Sequence, residues 1–262
     1  MGLQAKLAAW GGDTWASRKC FAFWPWPAVV NGMWEWKFTE DDYRCLTHFI
    51  RPGDILLTKS QPYFLSNYFI GGSIYKHLAI YTGAVSGIKQ EHGFIKSPKF
   101  LGLENINAVT YRPGEFQRTV THAVSEGVVC QDVLRLVGHA DYVAVVRPWK
   151  TPEEQLKIVE FAIGQVGLGY NFDFSPEGPK EFYCTELGSA CLKEANIALP
   201  NPVEMRISLW GKKGKTYLAD SFIAEYQPVC VSVSSLESDF FRASPFGDTI
   251  RQKLMKAENA GI

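Results

Sequence analysis

With 262 residues, 46% of them apolar and 21% charged, the chain has the make-up of a globular protein with a real core, in one large domain or two small ones. Its 27 Lys and Arg balance 27 Asp and Glu, which excludes the basic footprint that draws proteins to nucleic acid. The six cysteines (Cys20, Cys45, Cys130, Cys184, Cys191, Cys230) form no CxxC pair, which argues against a zinc ribbon or thioredoxin-type centre and for reduced thiols in a cytoplasmic or virion-interior setting.

Residues 1–48 read as an extension. Residues 1–19 lack an apolar run followed by a cleavage site. The apolar stretch from Cys20 to Trp34 is short and interrupted by Pro25 and Pro27, so it is not a transmembrane helix. Residues 20–38 carry Trp24, Trp26, Trp34 and Trp36. They suit an arm packed across the main domain, or a surface that docks on a partner or a lipid interface. Thr39-Glu-Asp-Asp-Tyr43 then resembles a capped helix start. Arg51-Pro-Gly-Asp54 predicts a turn and Ile55–Thr58 a buried strand. Residues 61–71 suit a short helix.

The stretch KHLAIYTG (76–83) predicts a strand that opens at His77 and closes in a glycine turn. Residues 84–118 read as an inserted excursion containing Glu91 and His92. Thr119–Val129 is strand-like with Glu126 near its end, 131–138 suits a short helix, and Tyr142–Arg147 is a strand stopped by Pro148. Thr151, Pro152 and Glu154 form a capped helix start. Leu156, Val159, Ile163 and Val166 continue it at helical spacing, up to Gly167 and Gly169. Residues 200–217 read as loop, 221–235 as one or two strands, and 247–258 as a peripheral helix.

The chemistry centres on EFYCTELGSACLKEAN (181–196), where Cys184 stands at an extended-to-helix transition. A helix N-terminus offers partial positive charge and free N–H groups. These favour thiolate, so a lowered pKa is expected for Cys184, and the same groups suit a developing oxyanion. The bland reading is one more buried core cysteine. A nucleophilic thiol needs a base and a group that orients the base. Of His48, His77, His92, His122 and His139, His77 stands out because it begins a strand. His122 falls in mid-strand. If 76–82 pairs with 119–126, Glu126 is the candidate orienting carboxylate, and Glu91 is the runner-up. Gly214-Lys215-Thr216 is not a phosphate loop, because Leu209 stands where that motif needs glycine. Ser189 lies outside any GxSxG elbow. No HExxH or calcium loop is present, so neither metal nor cofactor is expected.

PGDILLTKS (52–60), KHLAIYTG (76–83), AVSEGVVCQDVL (123–134), YVAVVRP (142–148) and FYCTELGSACLKE (182–194) occur in an order that resembles the circularly permuted NlpC-type hydrolases of the papain-like superfamily, the YaeF/YiiX-like group. Histidine precedes cysteine in that group, as His77 precedes Cys184 here. The resemblance implies an α+β, permuted papain-like fold, with an antiparallel sheet packed against the helix that carries the cysteine. The matching divisions are an extension over 1–48, a catalytic domain over 49–230 and a tail over 231–262. It also implies Cys184 as nucleophile, His77 as general base, Glu126 as orienting group, and Tyr183 shaping the oxyanion site. Thr185 replaces the usual serine, and Gly127 stands where the pattern often has alanine. The implied function is a cysteine hydrolase of amide bonds (peptides, including peptidoglycan stem peptides) or acyl-lipid esters. An acyltransferase using the same intermediate and an idle structural or binding protein of virion or envelope are the alternatives.

Overall fold

A computed structural model describes residues 20–23, 26–29, 36–60, 73–90, 93–103, 112–171, 181–206, 213–238 and 252. The expected helix over 61–71, Glu91, His92 and nearly all of 247–258 lie outside the described residues.

Among the described residues the fold is built on a seven-stranded sheet. Strand β3 (Ile55–Lys59) lies between β8 (Tyr142–Arg147) and β4 (His77–Lys89), antiparallel to both. The order runs β13 (Gln227–Val231), β8, β3, β4, β6 (Glu115–Val124), β7 (Gly127–Asp132), and β5 (Ile95–Phe100) adds to the far end of β4. Both faces are covered, so the central strands read as near-continuous apolar runs and not as alternation. Ile55, Leu57, Leu78, Ile80, Ala144 and Val146 face one core. Leu56, Ala79, Tyr81, Val143 and Val145 face the other. Each fully buried Leu or Ile contributes about 1.5–3 kcal/mol.

Helix α1 (Glu40–Phe49) packs on the second face through Leu46, which is fully buried. Its start is fixed by the expected cap: Asp42 N–H donates to Thr39 Oγ1 and Thr39 N–H to Asp42 Oδ2. The division drawn at 48 therefore falls inside a helix that belongs to the sheet's second core. Helix α2 (Val133–Val137) lies on the same face. On the first face, helix α3 (Pro152–Gly164) packs beside helix α4 (Cys184–Glu194). Helix α3 has the expected Thr151–Glu154 capping box and Pro152 in its first turn. Two short strands, β9 (Gly169–Tyr170) and β10 (Glu181–Phe182), pair in parallel and lead into α4. Farther on are a hairpin, β11 (Val203–Arg206) with β12 (Lys213–Thr216), then helix α5 (Ala219–Glu225) and helix α6 (Val233–Glu237). In the extension, β1 (Cys20–Phe23) and β2 (Trp26–Val29) pair antiparallel.

Several expectations change here. The loop over 200–217 contains the β11–β12 hairpin. The strands expected over 221–235 are α5, β13 and α6. Strand β4 does not stop at Gly83. It passes through it as an irregularity at φ +71° and runs on to Lys89. Among the described residues the excursion over 84–118 thus contains the ends of β4 and β6 and the whole of β5, which pairs with β4.

Gly127 opens β7 at φ +109°, and a Cβ there would sit 2.3 Å from the Leu168 carbonyl oxygen. Val128 N–H donates to that same oxygen at 2.8 Å. The alanine found at this place in the family pattern cannot fit without moving the chain that leads from α3 to Cys184. Gly127→Ala is expected to lower stability by about 1–3 kcal/mol. An unchanged midpoint in urea denaturation would rule that out.

Candidate active site

Cys184 is the first residue of α4, and its N-cap is Tyr183 in extended backbone. The helix begins there because Glu186 Oε2 accepts Tyr183 N–H at 3.3 Å, the carboxylate half of a capping box. Asn171 Nδ2 donates to the same oxygen at 3.2 Å, and Asn171 N–H donates to Phe182 O. These contacts fasten β9 to the helix start. The Tyr183 hydroxyl pairs with Thr216 Oγ1 at 2.9 Å, which holds the β11–β12 hairpin beside the site. Gly188 lets α4 approach β4 closely, since a Cβ there would meet Leu78 Cδ2 at 2.8 Å.

The thiol is buried, with Cys184 only 7% exposed. The N–H groups of Leu78, Thr185 and Cys184 itself point at the sulfur. They favour thiolate, but burial outweighs them and pushes the thiol pKa up. The lowered pKa expected from the helix N-terminus is therefore corrected: a dry first turn costs the charged form more than three N–H groups return.

His77 opens β4 directly before Leu78, so the sulfur rests against the peptide that follows the imidazole. His77 Nε2 lies 2.7 Å from His122 Nδ1, with the rings edge to face at 5.0 Å between centroids. Burial pushes His77 down to about 4, and His122 well below its ordinary value, with the neighbouring His77 adding to the effect. These shifts favour the neutral thiol and neutral imidazoles over a thiolate–imidazolium pair at neutral pH. A direct thiol–imidazole hydrogen bond is not among the contacts of this resting arrangement. Such bonds commonly tighten only when substrate binds.

Among the described residues the side chain within hydrogen-bond distance of His77 is that of His122, whereas Glu126, expected as the orienting group, is placed elsewhere. Ser125 and Glu126 form the two-residue tip between β6 and β7, with Val124 paired to Gly127. Glu126 is exposed and accepts a hydrogen bond from Ser125 Oγ at 2.7 Å. Strands β4 and β6 do pair as expected, with Ile80 opposite Thr121. Continued to the start of β4, that register puts His122 opposite Ala79, on the face and at the diagonal reach of His77. The chain has already turned away before Glu126. His122 is 3% exposed, and its Nε2 lacks a hydrogen-bond partner.

Tyr170, not singled out in the sequence, lies beside the site. It is paired with Phe182 across β9 and β10, and its phenol is pushed up by burial and by the neighbouring Cys184 sulfur. Only the parallel pairing of 169–170 with 181–182 brings it there, and two-residue strands leave no periodicity to read. A surface groove of about 580 Å³, lined by Lys157, Phe161 and Lys193 among others, lies along the C-terminal half of α4, away from Cys184. Among the described residues no three His, Cys, Asp or Glu are grouped to hold a metal ion. No described helix is long and apolar enough to cross a membrane.

A cysteine at a helix N-terminus, packed on an antiparallel sheet whose histidine comes earlier in the chain, defines a papain-like arrangement with permuted order. Comparison with known proteins agrees. The chain belongs to the permuted papain-like amidase enzymes, YaeF/YiiX, C92 family, whose model matches residues 49–233. Among solved structures, the crystal structure of metalloprotein yiiX from Escherichia coli O157:H7 is similar at 18% identity, with a TM-score of 0.39, covering 60% of this chain and 72% of that chain. No curated protein matches the chain.

Proposed function

We propose that this chain is a cysteine amidase that cleaves amide bonds of peptide-like substrates through an acyl-enzyme on Cys184. The observation that carries this is the placement of the Cys184 sulfur at the start of α4, against the N–H of the residue that follows His77. His77 acts as general base through Nδ1. That role requires the tautomer in which its Nε2–H donates to His122 Nδ1, so His122 is the positioning residue. Because thiol and imidazole both rest neutral, the proton moves as the sulfur attacks, and it is returned to the leaving amine. The N–H groups of Cys184 and Thr185, the first two of the helix, are the oxyanion donors. Tyr183 and Tyr170 shape the wall beside them. Peptide amides, peptidoglycan stem peptides among them, come first as substrates, and acyl-lipid esters second.

The test is a panel of peptide amides, stem-peptide fragments and acyl esters, each run with and without an added amine or alcohol acceptor. Mass spectrometry of Cys184 after acid quench accompanies each run. Hydrolysis with an acyl adduct on Cys184 is expected. Preferred transfer to the acceptor would assign an acyltransferase. Neither turnover nor adduct across the panel would leave an idle site in a binding protein.

His122→Ala is expected to lower kcat by ~10²–10⁴-fold with KM nearly unchanged. His122→Gln, which can still accept at the same place, should recover part of the loss. Glu126→Gln should match the parent enzyme. Full activity in His122→Ala, or a loss in Glu126→Gln alone, would return the orienting role to the carboxylate.

A further inference from the structure

We propose that Cys45 and Cys230 form a reversible disulfide that locks helix α1 onto the edge strand β13, made by exchange with a low-molecular-weight disulfide. The two sulfurs stand 3.7 Å apart although the residues are 185 positions apart in the chain. A disulfide needs about 2.05 Å, so only a small side-chain movement separates contact from bond. Both thiols are held by packed elements. Cys45 lies in the middle of α1, next to the fully buried Leu46. Cys230 lies in β13, the edge strand of the sheet, and shares one core with Leu46 and Val145. Asp42, one turn before Cys45, accepts Val233 N–H just beyond β13 at 2.9 Å. The helix is therefore already fastened beside the thiol pair to the chain that leaves β13.

The two cysteines differ in a way that orders the reaction. Cys45 is exposed and meets the small disulfide first. Its thiolate attacks one sulfur of glutathione disulfide, the S–S bond breaks, and one glutathione leaves as thiolate and takes a proton from water. Cys230 is 8% exposed, and burial together with the adjoining Cys45 pushes its pKa up. It is the resolving thiol: it loses its proton to solvent, attacks Cys45 Sγ and expels the second glutathione. Two protein thiols are oxidised and one glutathione disulfide is reduced to two glutathione molecules. The burial of Cys230 makes the second step the slower one.

The bond has a structural consequence. Cys45 lies before the segment matched by the family model and Cys230 within it. The cross-link thus ties the helix that follows the aromatic arm to the sheet edge. It encloses His77, His122 and Cys184 in one covalent loop. A long loop constrains the unfolded chain strongly.

The experiment is equilibration of the full chain in glutathione redox buffers at mildly alkaline pH. Acid quench, alkylation of the remaining thiols, non-reducing peptide mapping and a melting curve follow. The expected result is a Cys45–Cys230 linked peptide that dithiothreitol removes, with a melting temperature raised by roughly 5–15 °C over the reduced chain. Cys230→Ser should stop at a glutathione adduct on Cys45, and Cys45→Ser should give neither product. If the parent chain also stops at the adduct on Cys45, or the linked chain melts where the reduced chain does, the proposal is overturned.

Discussion

Cys184→Ala is expected to remove turnover by more than ~10⁴-fold, and His77→Ala by ~10²–10⁴-fold, while both variants keep the fold. The difference follows from their roles. The thiol is the atom that bonds to the substrate, whereas loss of the base still leaves the sulfur and the helix N–H groups. The pH behaviour is equally specific. His77 is held down to about 4 by burial, so it is a neutral base at every pH above that, and kcat/KM should fall only as pH drops through about 4. An ordinary histidine would place that limb near 6.5. Cys184 is shifted upward, so its alkylation by iodoacetamide should keep rising with pH into the alkaline range. At mildly acidic pH the exposed Cys45 should be labelled before it. A Cys184 that is labelled first under those conditions, at a rate that weakens in His77→Ala, would mean a preformed ion pair and would overturn the neutral resting state argued here.

The parts of this site that are legible in the sequence are those fixed by local rules. Strand β3 and strand β8 are apolar runs bounded by Gly and Pro, and α1 and α3 carry capping boxes. The start of α4 is marked by the extended-to-helix change at Cys184. What the sequence hides depends on register and burial. Choosing between His122 and Glu126 requires knowing that Ile80 faces Thr121 and that the hairpin turns at Ser125-Glu126. No pattern within either strand carries that. The direction of the Cys184 shift depends on how dry the first turn of α4 is, and the packing of Gly188 against Leu78 sets how closely helix and sheet approach. Helix α5 is a different case. Ala219, Phe222 and Ile223 have helical spacing and are all buried. The strand reading misses that spacing because the apolar run continues into β13. Asp220 then holds α5 to the chain before β4, accepting from Ile74 and Tyr75 N–H. That contact also positions the peptide leading to His77.

Asp54→Asn is expected to cost about 3–5 kcal/mol of stability. The motif Pro-Gly-Asp-Ile supplies a carboxylate with no exposed surface, and four donors converge on it. Arg51 N–H and Arg147 Nη2 reach Oδ2 at 2.8 and 2.7 Å. Arg147 Nε and Trp149 Nε1 reach Oδ1 at 2.9 and 3.0 Å. Arg147 Nη2 also donates to Phe49 O, so the pair joins the end of α1, the start of β3 and the end of β8. Asparagine keeps the shape but turns one acceptor into a donor that faces a guanidinium. It also leaves Arg147, whose side chain is only 22% exposed, with no opposite charge. Urea denaturation at neutral pH reads the loss, and a change below about 1 kcal/mol would sink the argument. Adding Arg147→Met to Asp54→Asn should recover part of the loss, because it removes the stranded charge, whereas Arg147→Met alone strands the carboxylate and should be as damaging as Asp54→Asn. Whatever fraction of Asp54→Asn remains folded should react at Cys184 like the parent chain, since neither Asp54 nor Arg147 contacts the thiol or either histidine. The His77 and Cys184 stretches and the Gly53-Asp54 turn thus separate by experiment: removing His77 or Cys184 takes away chemistry on an intact fold, and removing Asp54 depletes the fold around intact chemistry.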